Sequence, residues 1–329
     1  MGKKVSVIVP IYNSARYLRE CLDCIVNQTF RDMEIILVDD CSADNSCEIC
    51  EEYIKNDSRI KLIKKEKNSG AVESRNIGIE TAESEYITFF DSDDFMELDT
   101  VEKMYNQAVS TGADIVVCNS QEYLQKKGIF QKNRNVLNTS VLNGKTVFSP
   151  SEVSDKIFQF CLGWPWDKMF KRDFIQKEGI RFQTIKHSED LSFVYGLMAC
   201  ADKISYVNQV CIFHRKHSES VESTRDVAPE CFYWALMDLI RILEERNLYE
   251  LYKKSLLNLS LEFSLWQIYT IKKKRTMQGL FKKLLERLDY FNCDESDIYE
   301  YSYQTGVKRV LHPILANTKR TIFLIKNIL

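Results

Sequence analysis

Two short, mostly apolar stretches of the sequence each run directly into a group of aspartates, and this repetition limits the folds open to the chain. The stretches are residues 34–38 (EIILV) and 86–90 (YITFF). The acids that follow them are Asp39, Asp40, Asp91, Asp93 and Asp94. Carboxylates repel one another and are poorly solvated at the end of a buried strand, so such groups indicate a bound cation or ligand. Aspartates that only form turns or cap helices are the alternative.

Strand and helix patterns alternate through the first part of the chain. The predicted strands span residues 5–13, 34–40, 59–65, 86–90 and 113–120. The predicted helices span residues 15–28, 44–56, 68–82 (after an initial turn) and 99–111. This alternation predicts a mainly parallel sheet with helices on both faces. Such sheets bind ligands at the carboxyl ends of their strands, where both groups of aspartates are expected.

Composition narrows the class of protein. The 329 residues are 45% hydrophobic, which is enough for a core of two or three structural units. A formal net charge of −2 gives no reason to expect nucleic-acid binding. No run approaches the roughly eighteen apolar residues of a membrane span, and the N-terminal stretch lacks the features of a signal peptide. Residues 121–150 show no clear periodicity, and the pattern from about residue 223 onward is helical.

Eleven cysteines raise the question of a metal site or disulfides. Two CxxC pairs, Cys21 with Cys24 and Cys47 with Cys50, have a spacing close to that of a zinc ribbon. Both pairs lie in predicted helices, where positions i and i+3 share a face and cysteine packs well in a core. We therefore interpret them as core residues. So many cysteines outside a disulfide framework are typical of a cytoplasmic protein.

Three segments carry a combined pattern of much higher specificity: VSVIVPIYN (5–13), QTFRDMEIILVDDCSADNS (28–46) and NSGAVESRNIGIETAESEYITFFDSDD (68–94). They resemble family 2 glycosyltransferases, nearly continuously over residues 5–118 and more weakly to about residue 223. The resemblance implies a GT-A fold of the α/β class, followed here by a helical C-terminal region.

The resemblance also implies a division of the chain. Residues 1–120 would form the nucleotide-sugar-binding half, residues 121–222 the acceptor-binding half, and residues 223–329 a helical region outside the recognised pattern. The implied chemistry is transfer of a sugar from a nucleotide-sugar donor with inversion of the anomeric centre, usually with a divalent metal.

The ends of the first strands match the family's nucleotide site. The resemblance places Pro10 and Tyr12 in this nucleotide site, and Tyr12 matches the residue that stacks on the base. Asp40 matches the acid that reads the base edge, and a carboxylate there accepts a ring N–H, which favours uracil or thymine over cytosine. Arg75 matches a basic residue near the nucleotide.

The pair Asp91 and Asp93 matches the family's DxD motif, with Asp93 as metal ligand and Asp91 directed toward ribose or metal. Two acids at this spacing suit a hard divalent ion, Mn²⁺ or Mg²⁺, that takes its remaining ligands from phosphate oxygens and water. Such an ion would neutralise the departing diphosphate.

A second acidic pair, Glu189 and Asp190, resembles the family's acids on the acceptor side. The resemblance implies Asp190 as the general base and Glu189 as an acceptor-binding neighbour. The alternative is helix capping, with Ser188 as the cap and the two acids in the first turn.

Two further segments match less closely. GWPWDKMFKRDFI (163–175) resembles an element of the donor or acceptor pocket that retains Trp166 and Lys168, although a tryptophan can also be a core residue. FHRKHSESVES (213–223) resembles a loop that closes over the donor diphosphate. Its matching residues are Arg215, His217 and Ser220.

The C-terminal residues 307–329 carry five basic residues and no acid among many apolar ones (VKRVLHPILANTKRTIFLIKNIL). Such a segment can lie on an anionic bilayer, and a solvated helix face is the alternative. The C-terminal helices can also dock on the catalytic unit or form a homo-oligomer. We expect a cytoplasmic protein that contacts the inner face of the cell membrane through this tail.

These observations predict an inverting, metal-dependent glycosyltransferase that moves a hexose or aminosugar from a UDP-sugar to a glycan acceptor. By family analogy, that acceptor is lipid-linked and serves bacterial surface-polysaccharide synthesis. One alternative is a haloacid-dehalogenase-like phosphatase that uses Asp91 and Asp93. Another is a catalytically inactive module that binds nucleotide-sugars. A Rossmann dehydrogenase is excluded because the sequence lacks GxGxxG.

Overall fold

The computed structural model describes residues 2–131, 136–217, 227–270 and 274–289. In these residues a single sheet of ten strands runs through the molecule. The strands are β1 (Val5–Ile11), β2 (Met33–Asp39), β3 (Ile60–Lys64), β4 (Tyr86–Phe89), β5 (Phe95–Met96), β6 (Ile115–Leu124), β7 (Ile129–Phe130), β8 (Val147–Phe148), β9 (Lys168–Lys171) and β10 (Ile204–Lys216). The α-helices are α1 (Ala15–Val26), α2 (Ser46–Asn56), α3 (Ala71–Thr81), α4 (Thr100–Thr111), α5 (Arg172–Glu178), α6 (Glu189–Cys200), α7 (Cys231–Glu245), α8 (Tyr249–Thr270) and α9 (Lys274–Arg287). Two 3₁₀ segments span Thr139–Leu142 and Pro150–Gln159.

The strands lie in the order β3-β2-β1-β4-β9-β6-β10-β5. Strands β3, β2, β1 and β4 are parallel, and Ile8 of β1 lies opposite Ile36 of β2 and Phe89 of β4. Strand β9 runs antiparallel between β4 and β6, while β10 runs parallel to β6. The predicted mainly parallel α/β sheet is confirmed, and the ends of β2 and β4 bring both groups of aspartates to one edge.

Two hydrophobic clusters cover the two faces of the sheet. All seven residues of β1 are buried, and side chains alternate between the faces along a strand. Ile8 and Phe89 belong to one cluster, whereas Val7, Val9 and Leu37 belong to the other. This two-sided burial explains why these strands are continuous apolar runs.

Helix α3 lies unusually close to β1 because of a glycine. A Cβ atom added at Gly78 would lie 2.3 Å from Cγ2 of Ile8. Only a residue without a side chain permits this approach. The close contact places Arg75, which precedes Gly78 by one turn, above the edge of the sheet that carries the aspartates.

The second predicted half shares the sheet of the first. The predicted boundary at residue 120 falls inside β6, and the described residues between 121 and 150 contribute the end of β6, β7, β8 and a short 3₁₀ segment. Helices α7 and α8 confirm the helical pattern after residue 223, although residues 307–329 lie outside the described residues. Within the described part of the chain, no helix combines the length and apolarity that a bilayer crossing requires.

The CxxC pairs occupy the positions predicted for core residues. Cys21 and Cys24 are buried on α1, and Cys50 is buried on α2 beside the half-buried Cys47. All four are free thiols, and the described residues contain no group of three potential ligands arranged for a metal. Burial raises the pKa of Cys24 and of Cys50 to about 12, so both remain neutral.

Candidate active site

The turn after β4 presents two of its three aspartates to solvent. The Phe90 amide donates to the Ile8 carbonyl at 2.9 Å, which extends the sheet to the start of the turn. Asp91 and Asp93 are partly exposed, whereas the side chain of Asp94 is fully buried. The DxD pair therefore faces outward from the carboxyl edge of the sheet, where an open α/β sheet binds its ligand.

A buried arginine joins this turn to the second acidic pair. Arg75 of α3 donates to Oδ1 of Asp91 at 2.8 Å and to Oε1 of Glu189 at 3.1 Å. Its guanidinium also lies 5.5 Å from the ring of Phe182. Residues separated by about a hundred positions in sequence thus meet around one cation. The structure brings together Arg75, Asp91 of the DxD pair and Glu189 at the start of α6.

Helix α6 begins with Glu189. Its N-terminus is not capped by the side chain of Ser188, which the helix-capping alternative required. Ser188 adopts a left-handed conformation (φ 64°), and its side chain makes no capping hydrogen bond. The adjacent Asp190 is partly buried. Burial and then repulsion by Glu189 raise the pKa of Asp190 to about 8, although the positive charge of Arg75 opposes this rise. Asp190 is therefore poised to exchange a proton near neutral pH.

The predicted nucleotide residues lie further along the same edge. Tyr12 is exposed just beyond β1, so its ring is accessible for stacking, while Pro10 is a buried residue of the strand. Asp40 is buried, and both of its carboxylate oxygens accept hydrogen bonds within the protein. Its donors are Lys65 Nζ at 2.6 Å, the Ser69 amide at 2.9 Å and the Gly70 amide at 2.7 Å. Asp40 thus fixes the loop before α3, and its contact with a base stays a prediction.

Arg215 differs from its predicted position on the diphosphate. It lies at the end of β10 with its side chain buried, and Nε donates to the main-chain carbonyl of Asp93 at 2.7 Å. Its guanidinium is stacked among aromatic rings, pairs with Glu20 at 2.7 Å and contacts the side chain of Gln125. The residue supports the DxD turn from beneath because strand pairing directs its side chain into the protein.

His217 lies at the site itself. Its Nε2 atom is 2.8 Å from Oδ2 of Asp93, and its ring packs 5.0 Å from the ring of Tyr17. Burial alone would raise the pKa of Asp93, but the contact with His217 and the nearby His214 lower it below the ordinary value. Ser220, the third predicted residue of this segment, lies outside the described residues.

Behind the DxD turn, His214 and Asp94 form a buried pair, and the sequence analysis predicted neither of them as a site residue. His214 Nδ1 lies 3.0 Å from Oδ2 of Asp94, and the amide of Arg215 donates to Oδ1 of Asp94 at 2.7 Å. Burial raises the pKa of Asp94 to about 6, although the interaction with His214 opposes the rise. The third acid of the DSDD segment, Asp94, was the sequence signal for this pair. A buried carboxylate that does not bind a metal needs a hydrogen-bonding or charged partner inside the protein.

Trp166 and Lys168 lie under the site and do not form its wall, which differs from their predicted position in the pocket. Trp166 is buried and stacks on His214 with ring centroids 5.3 Å apart. Lys168 is fully buried on β9, where Nζ donates to Asp167 at 2.6 Å and to the carbonyls of Leu162 and Trp164 at 2.8 and 2.7 Å. Pairing of β9 between β4 and β6 turns Lys168 inward, and Trp166 lies just before that strand.

Comparison with known proteins identifies the family. The sequence model described as "Glycosyl transferase family 2" matches residues 6–184. The chain belongs to this family. The cholesterol galactosyltransferase of Borreliella burgdorferi is 32% identical over 325 residues, which cover 93% of this chain and 89% of that protein. Glycosyltransferase GlyG of Streptococcus pneumoniae is 31% identical over 226 residues, 68% of this chain and 74% of the relative.

Solved structures agree on the fold of this family 2 glycosyltransferase. The crystal structure of S. aureus TarS 1-349 in complex with UDP-GlcNAc has a TM-score of 0.69 and 22% sequence identity, over 99% of this chain and 90% of that one. The fold is therefore GT-A-like, with additional C-terminal helices. The haloacid-dehalogenase alternative is excluded by family membership, and the DxD pair follows the fourth strand of the chain.

The DxD pair is suited to a divalent metal whose remaining ligands come from the sugar donor and water. Within the described residues, no three acidic, histidine or cysteine side chains form a ready ligand set. Asp91 and Asp93 nevertheless offer partly exposed carboxylates two positions apart, and His217 adjoins Asp93. Mn²⁺ and Mg²⁺ use this kind of donor set when phosphate oxygens and water supply the remaining ligands. The residues present fit such an ion.

Proposed function

We propose that this glycosyltransferase moves a hexose or an aminosugar from a UDP-sugar to a hydroxyl of a glycan acceptor, with a divalent metal and with inversion of the anomeric centre. The observation that carries the proposal is the Arg75 bridge between Asp91 and Glu189. This contact joins a donor-side acid to an acceptor-side acid across the edge of one sheet. The UDP-GlcNAc bound to the related TarS fold supports a UDP-sugar donor.

On the donor side, the exposed ring of Tyr12 would stack on the uracil. Asp91 and Asp93 would hold Mn²⁺ or Mg²⁺, which supplies positive charge to the diphosphate as it leaves. Arg75 orients Asp91 through its hydrogen bond and holds the carboxylate in one rotamer. His217 contacts Oδ2 of Asp93 beside this metal position.

On the acceptor side, Asp190 would remove the proton from the attacking hydroxyl. A base opposite the leaving group gives inversion, because the hydroxyl then attacks the face of the sugar ring away from the diphosphate. Glu189, fixed by Arg75, would accept a hydrogen bond from a neighbouring acceptor hydroxyl. The carboxylates thus divide into a donor pair and an acceptor pair that are linked by one guanidinium.

The acceptor proposed here is a lipid-linked glycan of bacterial surface-polysaccharide synthesis. A relative of 32% identity is named for galactosyl transfer to cholesterol, which is itself a membrane lipid. Peripheral contact with the membrane through residues 307–329 and formation of a homo-oligomer belong to the same proposal.

The test is UDP release from a panel of UDP-sugars, with Mn²⁺ and with EDTA, for the wild type and for Asp93→Ala. Asp32→Ala is the matched control, because Asp32 is an exposed aspartate before β2 at the opposite edge of the sheet. We expect metal-dependent turnover of one donor that only Asp93→Ala abolishes. UDP binding without turnover, even after lipid-linked acceptors are added, would favour the inactive binding module. Absence of UDP binding with and without metal would refute the proposal.

A further inference from the structure

The hairpin formed by β6 and β7 carries exposed apolar and basic side chains side by side. Its tip, residues 125–130, is a turn in which the amides of Lys127 and Gly128 donate to the Leu124 carbonyl, both at 3.0 Å. Ile129 and Phe130 are 49% and 45% exposed. Lys126 and Lys127 are exposed in the same turn. Because consecutive residues of a strand face opposite sides, this exposed apolar surface lies on both faces of the hairpin and flanks the two lysines of the turn.

Phe130 of the hairpin packs against an aromatic cluster. The ring of Phe130 lies 5.0 Å from that of Phe213 and 5.2 Å from that of Tyr123. Phe95, which directly follows the DxD turn, stacks on Phe213 at 5.1 Å. An aromatic cluster therefore joins Phe130 of the hairpin to Phe95, the residue after the DxD turn.

The tip also lies at the functional edge of the sheet. Strand β6 runs parallel to β10, whose end carries Arg215, and Arg215 contacts both Gln125 of the tip and the carbonyl of Asp93. The DxD pair and the hairpin tip are thus two neighbouring parts of one rim. Anything that binds the tip is presented to the catalytic edge.

We propose that the hairpin tip docks on an anionic lipid bilayer and sets the active-site edge against the membrane. The inference rests on the proposed lipid-linked acceptor, whose reactive hydroxyl stands near the bilayer surface. Lys126 and Lys127 complement the charge of anionic headgroups, and each such lysine strengthens binding about fivefold. Ile129 and Phe130 match the interfacial region, where aromatic and aliphatic side chains partition beside lysines.

The proposal is tested by co-sedimentation of the full-length protein with vesicles of phosphatidylcholine, with and without phosphatidylglycerol. The test variants are Ile129→Asp and the double change Lys126→Glu with Lys127→Glu. The matched control is Val109→Asp, because Val109 is 52% exposed and lies near the end of α4, which leads to the opposite edge of the sheet. UDP release in vesicle-free buffer is measured in parallel for every variant.

We expect salt-sensitive binding of the wild type to the anionic vesicles, weakened at least about tenfold by the double change and unaffected by Val109→Asp. Wild-type binding by both hairpin variants would overturn the proposal and place the membrane contact elsewhere, as in residues 307–329. A wild-type dimer that the hairpin variants dissociate, without vesicle binding, would overturn it in favour of an interface between copies. If UDP release is retained while either of these results is seen, the docking proposal fails but the proposed reaction stands. Failure of the docking proposal is therefore distinguishable from failure of the proposed function.

Discussion

The guanidinium of Arg215 donates from Nε to the main-chain carbonyl of Asp93 at 2.7 Å. The arginine that the sequence predicted over the diphosphate therefore supports the backbone of the DxD turn. Its planar group is held among three aromatic rings and leaves little freedom to reach a ligand. The contact ties the position of the turn to the far end of β10.

Replacement of Arg215 by lysine should loosen the turn while keeping the positive charge. Lysine lacks the planar fork that contacts Glu20, Gln125 and the Asp93 carbonyl together, so we expect the Mn²⁺ concentration for half-maximal activity to rise about tenfold. A metal titration of UDP release measures this, with Arg181→Lys at the exposed pair with Glu80 as control. An unchanged metal requirement with weaker UDP binding in EDTA would instead place Arg215 on the diphosphate.

The pH dependence should report the raised pKa of Asp190. The proposed base, Asp190, works only as a carboxylate, so kcat/KM should rise with pH and level off above about 8, the pKa that burial and Glu189 impose. Asp190→Asn should abolish turnover and leave UDP binding intact. A pH profile of UDP release under subsaturating donor measures the first effect, and a flat profile between pH 6 and 9 would contradict it.

The same profile separates the role of Arg75 from a purely structural one. Its charge lowers the pKa of Asp190 against the effect of burial, so Arg75→Gln should move the rising limb to higher pH as well as lower the maximum rate. Arg181→Gln at the protein surface serves as the control. A lower rate with an unshifted limb would limit Arg75 to holding Asp91 and Glu189 in place.

Glu34 should stabilise the amino edge of the sheet in a pH-dependent way. It is fully buried and accepts hydrogen bonds from Ser6 at 2.6 Å and Ser84 at 3.0 Å, and Lys61 lies 3.0 Å away. Burial opposes ionisation, yet these partners lower the pKa of Glu34 to about 2. A lowered pKa contributes stability that is fully present above the unfolded value of about 4.5 and is lost as the pH falls toward 2.

We therefore expect Glu34→Gln to lower the free energy of unfolding at pH 7 by at most about 3 kcal/mol. The difference from the wild type should shrink as the pH falls below 4.5. Urea denaturation at several pH values measures it, with the exposed Glu85→Gln as control. A difference that stays constant across this range would show that packing, not ionisation, sets the effect.

Gly78→Ala should overpack the contact between α3 and β1. The new Cβ would lie 2.3 Å from Cγ2 of Ile8, and relief of such a clash typically costs about 1–3 kcal/mol. Gly279→Ala on α9 is the matched control, because its Cβ would meet nothing within 4 Å and alanine favours a helix. Thermal denaturation of both variants measures the contrast, and equal stability of the two would contradict the close packing.

Local sequence predicted the parallel strands and the acids at their ends, because apolar runs and turn residues are encoded within a few positions. It did not predict β9 or the long β10, whose pairing depends on partners far along the chain. Residues 213–223 read as a loop, yet β10 extends to Lys216, and that pairing buries Arg215. The prediction that Lys168 lies in the pocket was wrong for a similar reason. Its burial follows from its position on β9, a strand that the local sequence did not predict.

The antiparallel strand β9 also bears on how the chain acquires its structure. It fills the gap between β4 and β6, so hydrogen bonding does not join these two parts of the sheet until residues 168–171 have been synthesised. A chain that stopped at residue 120 would leave β4 with a bare edge, which invites pairing with other chains. The first predicted half should thus leave the ribosome with an incomplete sheet. The two halves should fold as one cooperative unit only after β9 of the second half has paired with β4 of the first.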